Sequence, residues 1–437
     1  MNNPLIAIVG RPNVGKSTLF NRLAGERISI VEDTPGVTRD RVYADCEWCG
    51  HAFTLIDTGG LELKSEDEMW MHIRAQVELA IDASDAIVYV VDGKTGLTLD
   101  DEAITAYLRR AKVPVILAVN KIDNNEMHET YQFFSLGFGE PYAVSAAQGK
   151  GLGELLDAIV EAVPAVAPEE DEDVIKIAIV GKPNAGKSSI VNRLLGYERV
   201  IVSNIAGTTR DAIDTELTVG GDKYVLIDTA GIRKKKAIGE DLERYSVMRS
   251  FLAVRRADVA VIVCDAAEGM TEQDVKIAGY VHEQGKPSLI VMNKWDLVDK
   301  DSHTIEKFEK KLREDLKFMD YFKSLYISAM TGKRAETILP ACRLVLANSR
   351  RRISTGLLNE VLQDAIRISE PPSRLGKRLK IFYITEVSVT PPTFVIKVND
   401  PELMHFSYKR YLENALRRSF DFEGTPIRLS VRQNNEE

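Results

Sequence analysis

The chain has 437 residues, 44% of them apolar and 28% charged, which is ordinary for soluble globular protein and leaves room for two to four domains. A formal net charge of −8 argues against a molecule that coats DNA or RNA with its whole surface. No apolar run approaches the roughly 20 residues of a membrane span, and the short apolar stretch after MNNP is no signal peptide, so a cytoplasmic protein without a membrane partner is expected.

The first apolar run, Ile6–Val9, reads as a strand and leads into Gly10, Arg11, Pro12, Asn13, Val14, Gly15, Lys16, Ser17 and Thr18. This is the G-x-x-x-x-G-K-S phosphate loop, and a helix over Lys16–Leu23 should follow it. Glycines let backbone N–H groups wrap phosphates, and the helix N-terminus adds partial positive charge. Lys16 is expected to neutralise the β- and γ-phosphates, and Ser17 to offer its hydroxyl to Mg²⁺. Thr38, within GVTRD, suits a switch threonine that reaches Mg²⁺ only when the γ-phosphate holds its loop closed. Cys46 and Cys49 form a C-x-x-C without further zinc ligands at matching spacing, so a reduced β-hairpin is expected.

A strand over Phe53–Ile56 delivers Asp57, Thr58, Gly59 and Gly60, a D-x-x-G element with a carboxylate for Mg²⁺ and a Gly60 N–H for the γ-phosphate. Helices are predicted over Asp67–Ile81, Asp101–Ala111 and Leu152–Val163, and strands over Ala86–Val91 and Val115–Val119. The last strand ends in Asn120, Lys121 and Asp123 of N-K-x-D. A carboxylate there accepts two N–H bonds from guanine, whereas adenine offers no such pair. Ser145 and Ala146 are expected to offer backbone N–H groups to guanine O6.

The whole series then returns at a shift of 171 to 183 residues. The second phosphate loop is Gly181, Lys182, Pro183, Asn184, Ala185, Gly186, Lys187, Ser188 and Ser189. Thr209, then Asp228, Thr229, Ala230 and Gly231, then Asn293, Lys294 and Asp296, then Ser328 and Ala329 repeat the switch, metal and base motifs. Strands alternating with helices imply an α/β fold with mostly parallel sheets and ligands at the strands' carboxyl ends. The expected organisation is a first G domain over 1–163, an acidic linker over 164–173, a second G domain over 174–349 and a small C-terminal domain over 350–437. GTP and GDP are the expected ligands, with Mg²⁺.

With these motifs the chain resembles the translation-factor-related GTPases, and its tandem arrangement with a short C-terminal module resembles the Der (EngA) family along nearly its whole length. The resemblance implies a bacterial GTP hydrolase that acts as a switch in maturation of the large ribosomal subunit, with that subunit or its precursor and ribosomal RNA as partners. It implies no DNA partner, and a monomer is expected. A signalling or cell-cycle GTPase acting through proteins is the alternative. Leu61 and Ile232 stand where related enzymes place a water-orienting glutamine, which implies slow intrinsic turnover. Asn13 and Asn184 resemble the asparagines with which related GTPases hold a catalytic K⁺ beside the β/γ bridge, so K⁺-stimulated hydrolysis is expected. The RKKK run at Arg233–Lys236 reads equally as an RNA contact or a solvated loop.

From Arg350 onward the tail is mildly basic, with 15 Lys and Arg against 11 Asp and Glu. A helix over Thr355–Ser369, strands over Lys380–Val389 and Thr393–Val398, a helix over Pro401–Phe420 and a strand over Pro426–Arg432 give the order αββαβ. That order resembles the bacterial type of KH domain. The G-x-x-G clamp for single-stranded RNA is missing, and HFSYKR (His405–Arg410) stands in its region, so RNA contact would rest on charge.

Overall fold

The computed structural model describes residues 3–25, 43–57, 77, 80–81, 84–122, 127–163, 174–196, 200–203, 214–228, 243–374 and 377–434. It divides into two units, Met1–Glu170 and Asp171–Glu437.

In the first unit the elements are β1 (Leu5–Val9), α1 (Lys16–Gly25), β2 (Tyr43–Trp48), β3 (His51–Asp57), β4 (Ala86–Asp92), α2 (Leu99–Leu108), β5 (Val115–Asn120), β6 (Tyr142–Ala143) and α3 (Leu152–Ala162). The sheet runs β2-β3-β1-β4-β5-β6 and is parallel except for the β2–β3 hairpin. All seven residues of β4 are buried, as a central parallel strand covered on both faces requires. Leu19, Phe20 and Leu23 of α1 and Leu152, Leu155, Leu156 and Ile159 of α3 line one shared core. Of the helix predicted over Asp67–Ile81, Val77, Ala80 and Ile81 are described, and all three are helical. The helix predicted from Asp101 starts at Leu99 instead, because Thr98 and Asp101 form a reciprocal capping box. Cys49 and Gly50, at φ 49° and 81°, turn the β2–β3 hairpin, and both Cys46 and Cys49 are free thiols.

The second unit repeats the plan with β7 (Val174–Val180), α4 (Lys187–Leu195), β8 (Val200–Ser203), β9 (Thr215–Val219), β10 (Asp222–Ile227), α5 (Glu243–Arg256), β11 (Val259–Asp265), α6 (Glu272–Glu283), β12 (Ser288–Asn293), α7 (Thr304–Asp315), β13 (Lys323–Tyr326) and α8 (Ile338–Arg350). Its sheet order is β13-β12-β11-β7-β10-β9-β8, with the β10–β9 and β9–β8 pairs antiparallel at one edge and the other pairs, β7–β10 included, parallel.

The C-terminal module follows as α9 (Thr355–Ile368), the short pair β14 (Ser373–Arg374) and β15 (Lys377–Arg378), then β16 (Ile381–Val389), β17 (Pro392–Val398), α10 (Phe406–Ser419) and β18 (Arg428–Gln433). Phe394, Ile396 and Val398 alternate inward from β17 onto Leu358 and Leu362 of α9 and Tyr408, Leu412 and Leu416 of α10. The helix predicted from Pro401 is split: Asp400 caps a 3-10 turn at Pro401–Leu403, and α10 begins only after His405, whose ring accepts from the Ser407 N–H at 3.2 Å. A capped helix start thus occupies the region where a glycine clamp would lie. Among the described residues no helix is long and apolar enough to cross a membrane.

The module is fastened to the end of the second sheet opposite the phosphate loop. The Ser288 N–H, at the start of β12, donates to Gly424 O at 2.7 Å, and the Gly424 N–H donates to Tyr321 O at 2.7 Å. Thr425 Oγ1 donates to Val345 O at 3.0 Å, and Arg428 Nη2 to Glu283 O at 2.8 Å. The Arg417 guanidinium lies 4.6 Å from the Tyr321 ring centroid, a stacked cation worth up to about 2 kcal/mol when desolvated. Beside it, burial together with Arg417 and Arg428 pushes the His282 imidazole down to about 4, so it stays neutral while Nδ1 shares a hydrogen bond with the Tyr321 hydroxyl at 2.8 Å.

Gly424 has φ +71°, and a Cβ there would run into Val345 Cγ1. Gly424→Ala is therefore expected to cost about 2–3 kcal/mol through backbone strain and overpacking. Urea unfolding of the whole chain, followed by a probe in the second unit, checks this; an unchanged midpoint would refute the clamp.

Candidate functional site: two nucleotide cradles

Each phosphate loop leaves the carboxyl end of the strand at the middle of its sheet, β1 or β7, and enters a helix directly. The close packing is why glycine recurs. A Cβ on Gly10 would strike Val90 O, and one on Gly181 would strike Val263 O. A Cβ on Gly15 or Gly186 would strike the carboxamide of Asn120 or Asn293. Asn13 and Asn184 both sit at φ 63°, in the left-handed region that asparagine tolerates better than most residues. Each therefore has a conformational reason to be asparagine, independent of any ion.

Lys16 Nζ donates to Gly10 O and Arg11 O, both at 2.8 Å, and Lys187 Nζ to Gly181 O at 2.5 Å and Lys182 O at 2.6 Å. Burial lowers the Lys16 ammonium from its ordinary 10.5 to about 8, opposed by Asp57 and assisted by Arg11. Ser17 and Ser188 fall in the first turn of α1 and α4, and Thr18 and Ser189 follow them. Asp57 closes β3 and is 6% exposed. Asp228 lies one residue past β10, at φ 57°, with its N–H held by Asp214 Oδ1 at 2.8 Å. A serine hydroxyl and a carboxylate in this setting make an oxygen donor set that suits a hard cation such as Mg²⁺.

The side that sequence reading assigns to the base is held by the asparagines of N-K-x-D. Asn120 Nδ2 donates to Val14 O at 2.8 Å, while its Oδ1 accepts from the Ala146 N–H at 3.0 Å. Asn293 repeats this with Ala185 O at 2.9 Å and the Ala329 N–H at 3.0 Å. The Ser145 and Ser328 N–H groups donate to Lys150 O at 3.0 Å and Lys333 O at 3.1 Å. The N–H groups that sequence reading assigns to guanine O6 thus have protein acceptors in this structure. The hydroxyl of Ser328 hydrogen-bonds the Asp296 carboxylate and is the largest influence lowering its pKa.

Sequence reasoning missed two aspartates. Asp92 ends β4, accepts the N–H groups of Lys94 and Thr95, and pairs with Lys121 Nζ at 2.6 Å; that ammonium also donates to Asn13 O at 2.7 Å. Asp265 pairs with Lys294 at 2.6 Å in the same way. Lys121 and Lys294 adopt φ 69° and 60°, so the ion pairs hold them in a left-handed turn. The signal was legible, since AIVYVVD and VAVIVCD both close an apolar strand with aspartate at the repeat spacing. Thr38, Thr58, Gly59, Gly60, Leu61, Asp123, Thr209, Thr229, Ala230, Gly231, Ile232 and the RKKK run lie outside the described residues.

Two outcomes follow from this geometry. Phosphate oxygens at Lys16 would restore its proton, so nucleotide binding to the first domain near pH 8–9 should take up a proton and weaken as pH rises through about 8 towards 10.5. Calorimetry in buffers of different ionisation enthalpy measures that uptake; none at pH 8.5 would refute it. Asn120→Ala removes both bonds that tie the phosphate loop to the Ser145 loop and should weaken GDP binding to the first domain at least tenfold, at about 1–2 kcal/mol per lost bond. Fluorescent-nucleotide titration reads the loss.

A family model described as 50S ribosome-binding GTPase matches residues 5–121 and again 176–294, and one described as the KH-domain-like C-terminal part of EngA bacterial GTPase enzymes matches 352–432. The curated GTPase Der of Geobacillus kaustophilus (strain HTA426) is 54% identical over 434 residues, covering 99% of each chain. That of Clostridium perfringens (strain SM101 / Type A) is 54% identical over 438 residues, covering 100% of each. Among solved structures, the FeoB G domain of Methanococcus jannaschii is 27% identical with a TM-score of 0.28, covering 37% of this chain and 98% of that one. Era of Aquifex aeolicus is 24% identical with a TM-score of 0.31, covering 57% and 87%. With its doubled phosphate-loop fold, its KH-like tail and relatives matched from end to end, the chain belongs to the Der family of GTPases.

Proposed function

We propose that both G domains bind and hydrolyse GTP and that the chain acts as a GTP-controlled switch on the large ribosomal subunit or its precursor, in the bacterial cytoplasm and as a monomer. The observation that carries this reading is the doubling. Two phosphate loops, each joined to its own N-K-x-D strand, stand in one chain, and a KH-like module is fastened to the second domain. The proposed boundaries remain a G domain over 1–163, a linker over 164–173, a G domain over 174–349 and the module over 350–437.

In each cradle the backbone N–H groups of the phosphate loop and the Lys16 or Lys187 ammonium would bind the β- and γ-phosphates and stabilise charge on the leaving oxygen. Ser17, Thr38 and Asp57, and likewise Ser188, Thr209 and Asp228, would hold Mg²⁺, which neutralises phosphate charge when bound. Gly60 and Gly231 would meet the γ-phosphate, and Asp123 and Asp296 would read guanine. Leu61 and Ile232 cannot orient water by hydrogen bonding, so unaided turnover is slow. Asn13 and Asn184 would lend their side-chain oxygens to K⁺, the charge that replaces an arginine finger. Arg374, Lys377, Arg378, Lys380, Lys409, Arg410, Arg417 and Arg418 give the module its basic character, and its RNA contact would rest on charge.

Co-sedimentation with large ribosomal subunits, with a non-hydrolysable GTP analogue, GDP or no nucleotide at two salt concentrations, tests the switch. Binding is expected with the analogue only, weakening with salt; binding in no state would redirect the search to protein partners. For the cation, turnover should be several-fold higher in K⁺ than in Na⁺ at matched ionic strength. Asn13→Gly with Asn184→Gly keeps the left-handed backbone but removes the oxygen, so it should abolish the difference. Equal rates in both salts for the parent chain would remove K⁺ from the reading.

A further inference from the structure

The residue after the first glycine of each phosphate loop carries two bonds that together form a lever. Arg11 Nη2 donates to Thr95 Oγ1 at 2.8 Å, and its Nε lies 3.4 Å from Asp101 Oδ2. Asp101 is completely buried. Its Oδ2 accepts from the Thr98 N–H at 3.1 Å and the Thr98 hydroxyl at 2.7 Å, while Oδ1 and Arg11 Nε have no hydrogen-bond partner. A buried carboxylate needs a counter-charge, and Arg11 supplies it. The backbone of the same residue holds the phosphate lysine, since Arg11 O accepts from Lys16 Nζ at 2.8 Å.

The second domain keeps this relation with different chemistry. Lys182 pairs with Glu268, and Asp274 and Asp265 act on its charge at longer range. Asp274 is completely buried, caps α6 with Thr271, and has an unpartnered Oδ1. Lys182 O accepts from Lys187 Nζ at 2.6 Å. A cation is retained at this position while its main partner changes from a buried aspartate and a threonine to an exposed glutamate. Helix capping alone does not require that cation, because Thr98–Asp101 and Thr271–Asp274 cap their helices by themselves.

We propose that Arg11, and Lys182 in the second domain, are positioning residues for phosphate recognition: pinning the side chain to the loop after the neighbouring strand fixes the carbonyl that aims the phosphate lysine. The proposal rests on the phosphate loops being the nucleotide sites.

The test uses the full chain carrying Asp296→Asn, selected for a GDP stoichiometry of one so that the first site alone is read. Arg11→Gln is expected to weaken GDP binding about tenfold, and Arg11→Lys to stay within about threefold of the parent. Arg11→Gln also strands the Asp101 charge and lowers Tm. Adding Asp101→Asn removes that charge while leaving acceptors for the cap, so Tm should recover while GDP affinity stays low. Affinity that returns together with Tm would show a merely structural role and overturn the proposal, as would unchanged affinity in Arg11→Gln. Unchanged affinity in Lys16→Ala would overturn the phosphate-loop reading itself, and this proposal with it.

Discussion

One carboxamide in each cradle holds two loops in register with its own strand. Asn120 and Asn293 end their strands with an N–H donor turned to the phosphate loop and an oxygen turned to the Ser-Ala loop. Their position depends on the parallel sheet, because β5 and β12 are locked beside β4 and β11 by continuous parallel pairing. The phosphate loop leans on the same carboxamide so closely that its second glycine has no room for a Cβ. Sheet, phosphate loop and Ser-Ala loop therefore form one packed unit, and a shift in any of them is felt by the others.

Around this shared frame the two copies differ. The first anchors its loop with Arg11 against a buried aspartate, whereas the second uses Lys182 against an exposed glutamate. The second also pins the amide of Asp228 through Asp214, itself paired with Arg256; Tyr43 occupies the corresponding position in the first. Equal motifs thus sit in unequal surroundings, so the two sites need not bind or turn over nucleotide alike.

Much of this was legible in the sequence. Apolar runs ending in G-x-x-x-x-G-K-S, in aspartate or in N-K-x-D name both the strand and the end of it where the motifs gather, and the repeat at 171 residues removes the ambiguity of any single match. Helix starts were less legible. Two-residue shifts such as Leu99 for Asp101 arise because the cap, not the apolar pattern, decides where a helix begins. Pro401 suggested a long helix, but the Asp400 cap and the extended His405 split it. The Asp92–Lys121 and Arg11–Asp101 pairs were hidden because their partners are 29 and 90 residues apart and meet only once the sheet has formed. The attachment of the C-terminal module through Gly424 was equally hidden, since a lone glycine in FEGTP reads as an ordinary turn.

Strand β12 joins these themes. Its first residue, Ser288, hydrogen-bonds the C-terminal module, and its last, Asn293, ties the second phosphate loop to the Ser328–Ala329 loop. Six residues of extended chain, at about 3.3 Å each, make a stiff spacer of about 17 Å between the two. That spacer acts as a ruler. The module and the loops that Asn293 joins therefore stand at a set distance from each other, and what is bound at one end of β12 is held at that distance from the other.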